Sequence, residues 1–332
     1  MLGNTVELFD LLLYIFAYVT LIARNIQIQT PGIQRLLLKM INEEKRSFEE
    51  NTKYIRDIFE NSRKFLNRIL KFLTVSALLT LAAHFLANVI QFINHKNDLD
   101  NKPMPSPGIW YPFNGNKYYF LTILISSFQS FSGSCIHFVC NGTLFALLIY
   151  ITTEQKALNS FIKNLQLCSE TEQGILEKLR KIIIKHQIII SFINELGVRL
   201  RLLFLIDFCM VSVIIALNVF EMFQLPVSSS TKMFNLLFIG IELFQLFSIS
   251  WFANEIRIQS IELCDTLYEI EWYECPNKVK QIIFFMIMRS QKPLTLYIGP
   301  FYVLTNSAVI RTLRATYSYI TLLLVMTQNK EN

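Results

Sequence analysis

Few residues of this chain are grouped in a way that could carry covalent chemistry. The four histidines, His84, His95, His137 and His186, stand apart from one another. No His-Glu-x-x-His, Gly-x-Ser-x-Gly or Walker A run occurs. Cys135 and Cys140, five apart, have no companion His or Cys at metal-ligand spacing, so packing is their expected role and no metal or cofactor is expected. Asn141-Gly-Thr143 matches the glycosylation sequon but lies within an apolar run, out of the transferase's reach. The unusual chemistry is charge placed inside apolar runs: Asp207, Glu242, Arg311 and Arg314. An ionised group there is costly unless it faces water or a partner. Arg314 is therefore expected to pair with Asp207 or Glu242, in preference to a role in permeation. Enzymatic catalysis is not expected.

The elements that hold these residues are set by composition. Of 332 residues 52% are hydrophobic and 17% charged, too little polar surface to coat a soluble globule of this size. Runs of about 20 apolar residues are long enough for helices to cross a hydrocarbon core of roughly 30 Å. The expected spans are Val6–Ala23, Phe72–Ile93, Tyr118–Thr152, Leu202–Phe223, Met233–Phe252 and Leu296–Met326. Because the runs are continuous and do not alternate, the expected fold is all-α, a polytopic helical bundle and not a barrel. Glu7 and Asp10 stand where a signal peptide would be basic, so the first run is expected to be retained.

Basic residues are sorted by loop. Segments 24–71, 153–201 and 255–295 carry 24 of the 31 Lys and Arg; segments 94–117 and 224–232 and the C-terminal tail carry 5. This bias puts the three basic segments in the cytoplasm and both chain ends outside, and it accounts for the net charge of +6 without a nucleic-acid partner. None of the six cysteines falls in an expected outside loop, so no disulfide framework is implied. The basic segments also carry apolar residues at helical spacing, as in 34–70, 169–200 and 257–273. Such amphipathic helices are expected to extend the bundle into a cytoplasmic layer, packing on one another or on sister subunits, with a purely interfacial role on anionic lipid as the alternative. The loop 94–117, with Pro103, Pro105, Pro107 and Pro112, is the one plainly irregular segment.

The C-terminal text is more specific. Arg289-Ser290-Gln291-Lys292-Pro293-Leu294-Thr295-Leu296 is followed by Gly299-Pro300-Phe301-Tyr302 and then by Arg314-Ala315-Thr316-Tyr317-Ser318-Tyr319. This resembles the signature of insect odorant receptors, in which a Ser-Gln-Lys-Pro-Leu segment leads into a final helix with a Ser-Tyr-Ser-Tyr-like stretch; Thr316 stands where Ser is usual. Weaker likeness extends through Trp251-Phe252-Ala253-Asn254, Glu271-Trp272-Tyr273 and Lys185-His186-Gln187. There is no ladder of Arg in 202–223 and no Thr-Val-Gly-Tyr-Gly filter, so a voltage-gated or potassium-selective channel is not expected.

The resemblance implies an odour-gated, non-selective cation channel subunit of the plasma membrane of olfactory sensory neurons. It implies a heterotetramer with the shared odorant co-receptor, a small volatile ligand, and no G protein. The family has seven spans, and the first apolar run here corresponds to the family's second; the sequence is then either incomplete or that of a shortened, non-functional paralogue. A gustatory-type homomer is the competing reading, but that relative prefers a Thr-Tyr-hydrophobic-Gln-Phe ending, and here no Phe follows Gln328. In the family the last helix lines the pore. On this chain that implies Ile320 as an apolar gate, with Thr316, Leu323 and Leu324 on the same helical face. The odorant pocket lies in the outer halves of the spans, which points to Tyr14, Tyr18, His84, Phe85, Ser130, Ser134 and His137.

Overall fold

The computed structural model describes residues 2–50, 53–94, 112–114, 117–165, 171–224 and 229–331; Cys168 and most of the proline-rich loop lie outside them. The order is α1 (Leu2–Gln29), α2 (Pro31–Glu50), α3 (Lys53–Asn94), α4 (Tyr119–Lys163), α5 (Glu172–Gln224), α6 (Ser229–Glu269), a 3₁₀ turn (Trp272–Glu274), α7 (Asn277–Ser290), β1 (Tyr297–Ile298), β2 (Tyr302–Val303) and α8 (Asn306–Glu331). Six of these helices, α1, α3, α4, α5, α6 and α8, are long and apolar enough to cross a membrane, and the all-α expectation holds. In lipid a helix satisfies its own backbone, which is why continuous apolar runs take this form.

Helices α3 to α6 run well past the length a membrane needs. The amphipathic stretches are their continuations, and their apolar faces are buried: Ile175, Leu179, Ile182 and Ile193 on α5 join Leu148 and Ile151 of α4 and Ile256 of α6 in one core. Cross-helix ion pairs border it, Lys185 to Glu154 at 2.7 Å, Lys156 to Glu255 at 2.8 Å and Lys163 to Glu262 at 3.2 Å. The central helix is α5, whose most apolar window is 61% buried; the corresponding windows of α1 and α8 are only 11% buried. Those two helices therefore lie at the edge of the bundle.

One expected span changes its start. The last was read as Leu296–Met326, but its helix begins at Asn306, and residues 297–303 form an antiparallel hairpin. The reason is local: Gly299 sits at φ +53°, a left-handed conformation, and Pro300 has no amide hydrogen to offer a helix. The amphipathic stretch 34–70 likewise divides into α2 and the start of α3. Thr30 and Pro31 open α2: the Thr30 carbonyl accepts from the amides of Ile33 and Gln34, and proline at the first helical position forfeits only an amide that would be unpaired.

Candidate functional site

The signature residues at the C-terminus turn out to hold down the base of α8. Ser290, buried at the end of α7, donates its hydroxyl to the Met286 carbonyl at 2.8 Å. After Pro293 the Leu294 amide donates to Ser260 Oγ on α6 at 3.0 Å, and Leu294 and Leu296 are buried. The hairpin is then fastened to α5 in both directions: the Gly299 amide donates to the Arg201 carbonyl at 2.9 Å, and Arg201 Nε donates to the Gly299 carbonyl at 2.6 Å. A Cβ on Gly299 would meet Leu205 Cδ2 at 3.0 Å. Arg311, one turn into α8, lies over the Tyr302 ring at 4.5 Å. The first turns of α8 are thus fixed to α5 and α6, while Ile310, Leu313, Tyr317, Leu322, Val325 and Met326 are exposed.

A second feature is a buried polar cluster where four helices meet. Arg24 of α1 donates from Nε to Asp207 Oδ1 of α5 at 2.9 Å, and from Nη1 to Gln245 Oε1 of α6 at 3.2 Å. Its Nη1 also lies 3.5 Å from His137 Nδ1 of α4, and Asn141 Nδ2 donates to the same Gln245 oxygen at 2.9 Å. Glu242, buried on α6, is a second carboxylate within electrostatic reach of Arg24. Three buried atoms of the cluster, His137 Nε2, Asn141 Oδ1 and Asp207 Oδ2, have no hydrogen-bond partner. This corrects the expectation for Arg314, which is exposed and is not the partner of Asp207; that partner is Arg24. Arg24 takes that place because α1 packs along α5 and buries it there, whereas Arg314 on α8 stays exposed. The sequon residue Asn141 is 1% exposed, as its place in this cluster requires.

Above the cluster, the residues expected to form a pocket fall into two groups. On the α1–α4 side Tyr18 Oη accepts from Gln129 Nε2 at 2.7 Å, and Ser134 Oγ donates to the Ser130 carbonyl at 2.9 Å. Tyr14 is half-buried on the same helix as Tyr18. On the α3–α6 side His84 Nε2 lies 3.2 Å from Asn88 Nδ2, and the His84 ring packs 5.3 Å from Phe234 of α6. Phe85 is exposed, and His137 belongs to the polar cluster below. Helix α4 contacts both α1 and α3 and so lies between the groups. Gln129, Asn88 and Phe234 are additions that sequence reading missed.

Set beside known proteins, the profile of the family described as 7tm Odorant receptor matches residues 4–317. The chain belongs to that family. As a member of that family, with six helices long and apolar enough to span, it is a multi-pass membrane protein. It is 27% identical over 215 residues to Odorant receptor 10 of Aedes albopictus, covering 62% of this chain and 55% of that one. It is 23% identical over 216 residues to Odorant receptor Or2 of Anopheles gambiae, with 62% and 56% covered. The chain thus spans just over half the length of the curated relatives it matches. Its fold is that of the insect olfactory receptor OR5 from Machilis hrabei, solved in complex with eugenol: TM-score 0.75 at 14% identity, over 97% of this chain and 82% of that one.

Within this 7tm odorant receptor, the four expected pore residues differ in exposure. Thr316 is turned into the chain's own helical bundle, 4% exposed, with its hydroxyl bonded to the Thr312 carbonyl at 2.9 Å. Ile320, Leu323 and Leu324 are half-buried on the adjoining turns.

Proposed function

We propose that this chain is an odour-binding subunit of a ligand-gated, non-selective cation channel, assembled as a heterotetramer with the shared odorant co-receptor in the plasma membrane of olfactory sensory neurons. The observation that carries the reading is the position of α8. It is held at its base by the Gly299 hairpin, lies at the edge of the bundle, and leaves large apolar side chains uncovered along its length. A helix held in this way can meet the same helix of neighbouring subunits around a shared axis and still move at its free end. Family membership and the OR5-like fold support the same reading.

In this reading Ile320, with Leu323 and Leu324, contributes to an apolar constriction that closes by dewetting, and Thr316 backs the wall from inside its own subunit. Volatile ligands are held above the polar cluster by Tyr14, Tyr18, His84, Phe85, Ser130 and Ser134, with Gln129 setting the Tyr18 hydroxyl. His137 forms the floor, where Arg24 orients its ring. Apolar contact with one or two hydrogen bonds suits a small volatile molecule.

The two assignments separate experimentally. In cells expressing the chain with the co-receptor, Ile320→Ala is expected to raise basal current or alter ion selectivity, modestly, because only a minority of the ring changes. Tyr18→Phe is expected to shift the odour dose response, by roughly three- to tenfold for loss of one hydrogen bond, and to leave ion selectivity as it was. Unchanged current and selectivity for Ile320→Ala, with changes instead for Ser318→Ala or Tyr319→Ala, would move the pore to the other face of α8.

A further inference from the structure

Helix α2, which follows α1, carries a pair of cations, Arg35 and Lys39. Helix α2 packs one face on the bundle through Ile33 and Leu36, which are fully buried. Its other face borders a groove of about 650 Å³ lined by Arg35, Leu38, Lys39, Asn42 and Glu43, positions one turn apart along a single stripe. Among the described residues neither Arg35 nor Lys39 has an ion-pair partner. Lys156, Lys163 and Lys185, on neighbouring helices of the same layer, are instead paired with Glu255, Glu262 and Glu154. Beside the two cations Leu38 and Ile41 are exposed, 61% and 44%. Two cations with bare aliphatic side chains between and beside them match a molecule that is anionic at one end and apolar at the other.

Depth agrees with charge. His137, Asp207 and Gln245 lie 16 to 18 residues from the same end of α4, α5 and α6, which is roughly 25 Å at about 1.5 Å per residue. Arg35 follows Arg24 by 11 residues across the break at Thr30, at most roughly a further 16 Å. That sum approaches the roughly 40–45 Å thickness of a bilayer with its headgroups. In the orientation set by the loop charges, the groove then lies at the headgroups of the cytoplasmic leaflet, the leaflet that carries anionic lipid.

The geometry points to the Arg35–Lys39 face of α2 as a binding site for the headgroup of an anionic phospholipid of the cytoplasmic leaflet. Arg35 and Lys39 hold the phosphate, Asn42 offers its amide to the headgroup, and Leu38 and Ile41 meet the upper acyl chain. Glu43 borders the same groove. Because α2 continues directly from the Arg24-bearing helix, an occupied groove would hold the inner end of α1 against the bundle. The inference rests on the topology of the proposed receptor and is independent of which odorant it binds.

The test uses the purified full chain in detergent, titrated with short-chain phosphatidylserine, short-chain phosphatidylcholine or inorganic phosphate, with thermal unfolding as the readout. Phosphatidylserine is expected to raise the unfolding temperature where phosphatidylcholine does not. Arg35→Gln with Lys39→Gln should weaken its apparent affinity on the order of tenfold or more, counting the two lost charges, without altering unfolding in the absence of lipid. Arg35 is exposed and Lys39 half-buried, and Arg35→Gln alone supplies a milder variant should the pair fold poorly. Neutralising the exposed Lys64 and Lys181, which pair within their own helices, should have no effect. An unchanged response in the Arg35, Lys39 variant, an equal response to inorganic phosphate, or no response to phosphatidylserine would each overturn the site. A tag at Ser169 that is labelled on intact cells would overturn the orientation instead, leaving a measured lipid response to be reassigned to the outer leaflet.

Discussion

Arg24→Ala is expected to cost about 3–5 kcal/mol, the usual penalty for stripping one partner from a buried ion pair, and to remove most of the protein from the cell surface. The substitution leaves Asp207 with both carboxylate oxygens unpaired, since Oδ2 already lacks a partner, and takes a donor from Gln245. It also removes the polar bonds of α1 to this cluster, although Gln27 still bonds the Arg199 carbonyl at 2.6 Å and Tyr18 still accepts from Gln129 of α4. Removing both charges, with Arg24→Met and Asp207→Leu together, is expected to recover much of the loss, because no uncompensated ion then remains between those two positions. Surface biotinylation and thermal unfolding of the solubilised protein measure both. Single and double variants equally impaired would mean that the volume and hydrogen bonds of Arg24, and not its charge, hold the helices together.

Gly299→Ala is expected to be the most damaging small change in the C-terminal third. The left-handed conformation at φ +53° costs a residue with a Cβ about 1–2 kcal/mol, and the new methyl lies 3.0 Å from Leu205 Cδ2. Either the hairpin shifts, weakening the paired Arg201 bonds, or Leu205 gives way. Both loosen the base of α8. The expected readouts are a lower unfolding temperature and faster proteolysis between Gln291 and Asn306. Adding Leu205→Ala should relieve the contact but not the backbone strain, so recovery should be partial. Wild-type stability of Gly299→Ala would show that the hairpin does not clamp the last helix.

The helices were legible in the sequence because the bilayer allows so few alternatives: a continuous apolar run of sufficient length has one way to satisfy its backbone. Their continuations beyond the apolar runs were legible too, since Ile175, Leu179 and Ile182 recur on one helical face. The break before α8 was harder, because Leu296 to Val303 reads as apolar and only Gly299-Pro300 betrays the hairpin. The polar cluster was half legible. Asp207 stands out within an apolar run, but Arg24 ends one and so reads as the first residue of a basic loop. A signal did exist: Thr20, Arg24 and Gln27 share one face of α1, and a polar stripe on a span is turned toward protein and not toward lipid. The proposed odour site was least legible, because it depends on which outer half faces which; the contacts of Gln129 and Phe234 follow only from setting α4 against α1 and α6 against α3.

The central claim is that this chain contributes both an odour site and a pore helix to a channel, and whole-cell recording in an outside-in comparison tests it most directly. Cells expressing the chain with the shared co-receptor would be exposed to a panel of volatile alcohols, esters and phenols that includes eugenol, with G-protein signalling blocked by a non-hydrolysable GDP analogue in the pipette. The expected result is an inward, non-selective cation current within the panel that cells with either subunit alone lack, and that Tyr18→Phe shifts along the concentration axis. A current of equal size from this chain alone would contradict the heteromer in favour of a gustatory-type homomer. A response abolished by the G-protein block, or surface-delivered chain and co-receptor with no odour-evoked current across the panel, would contradict the channel reading itself.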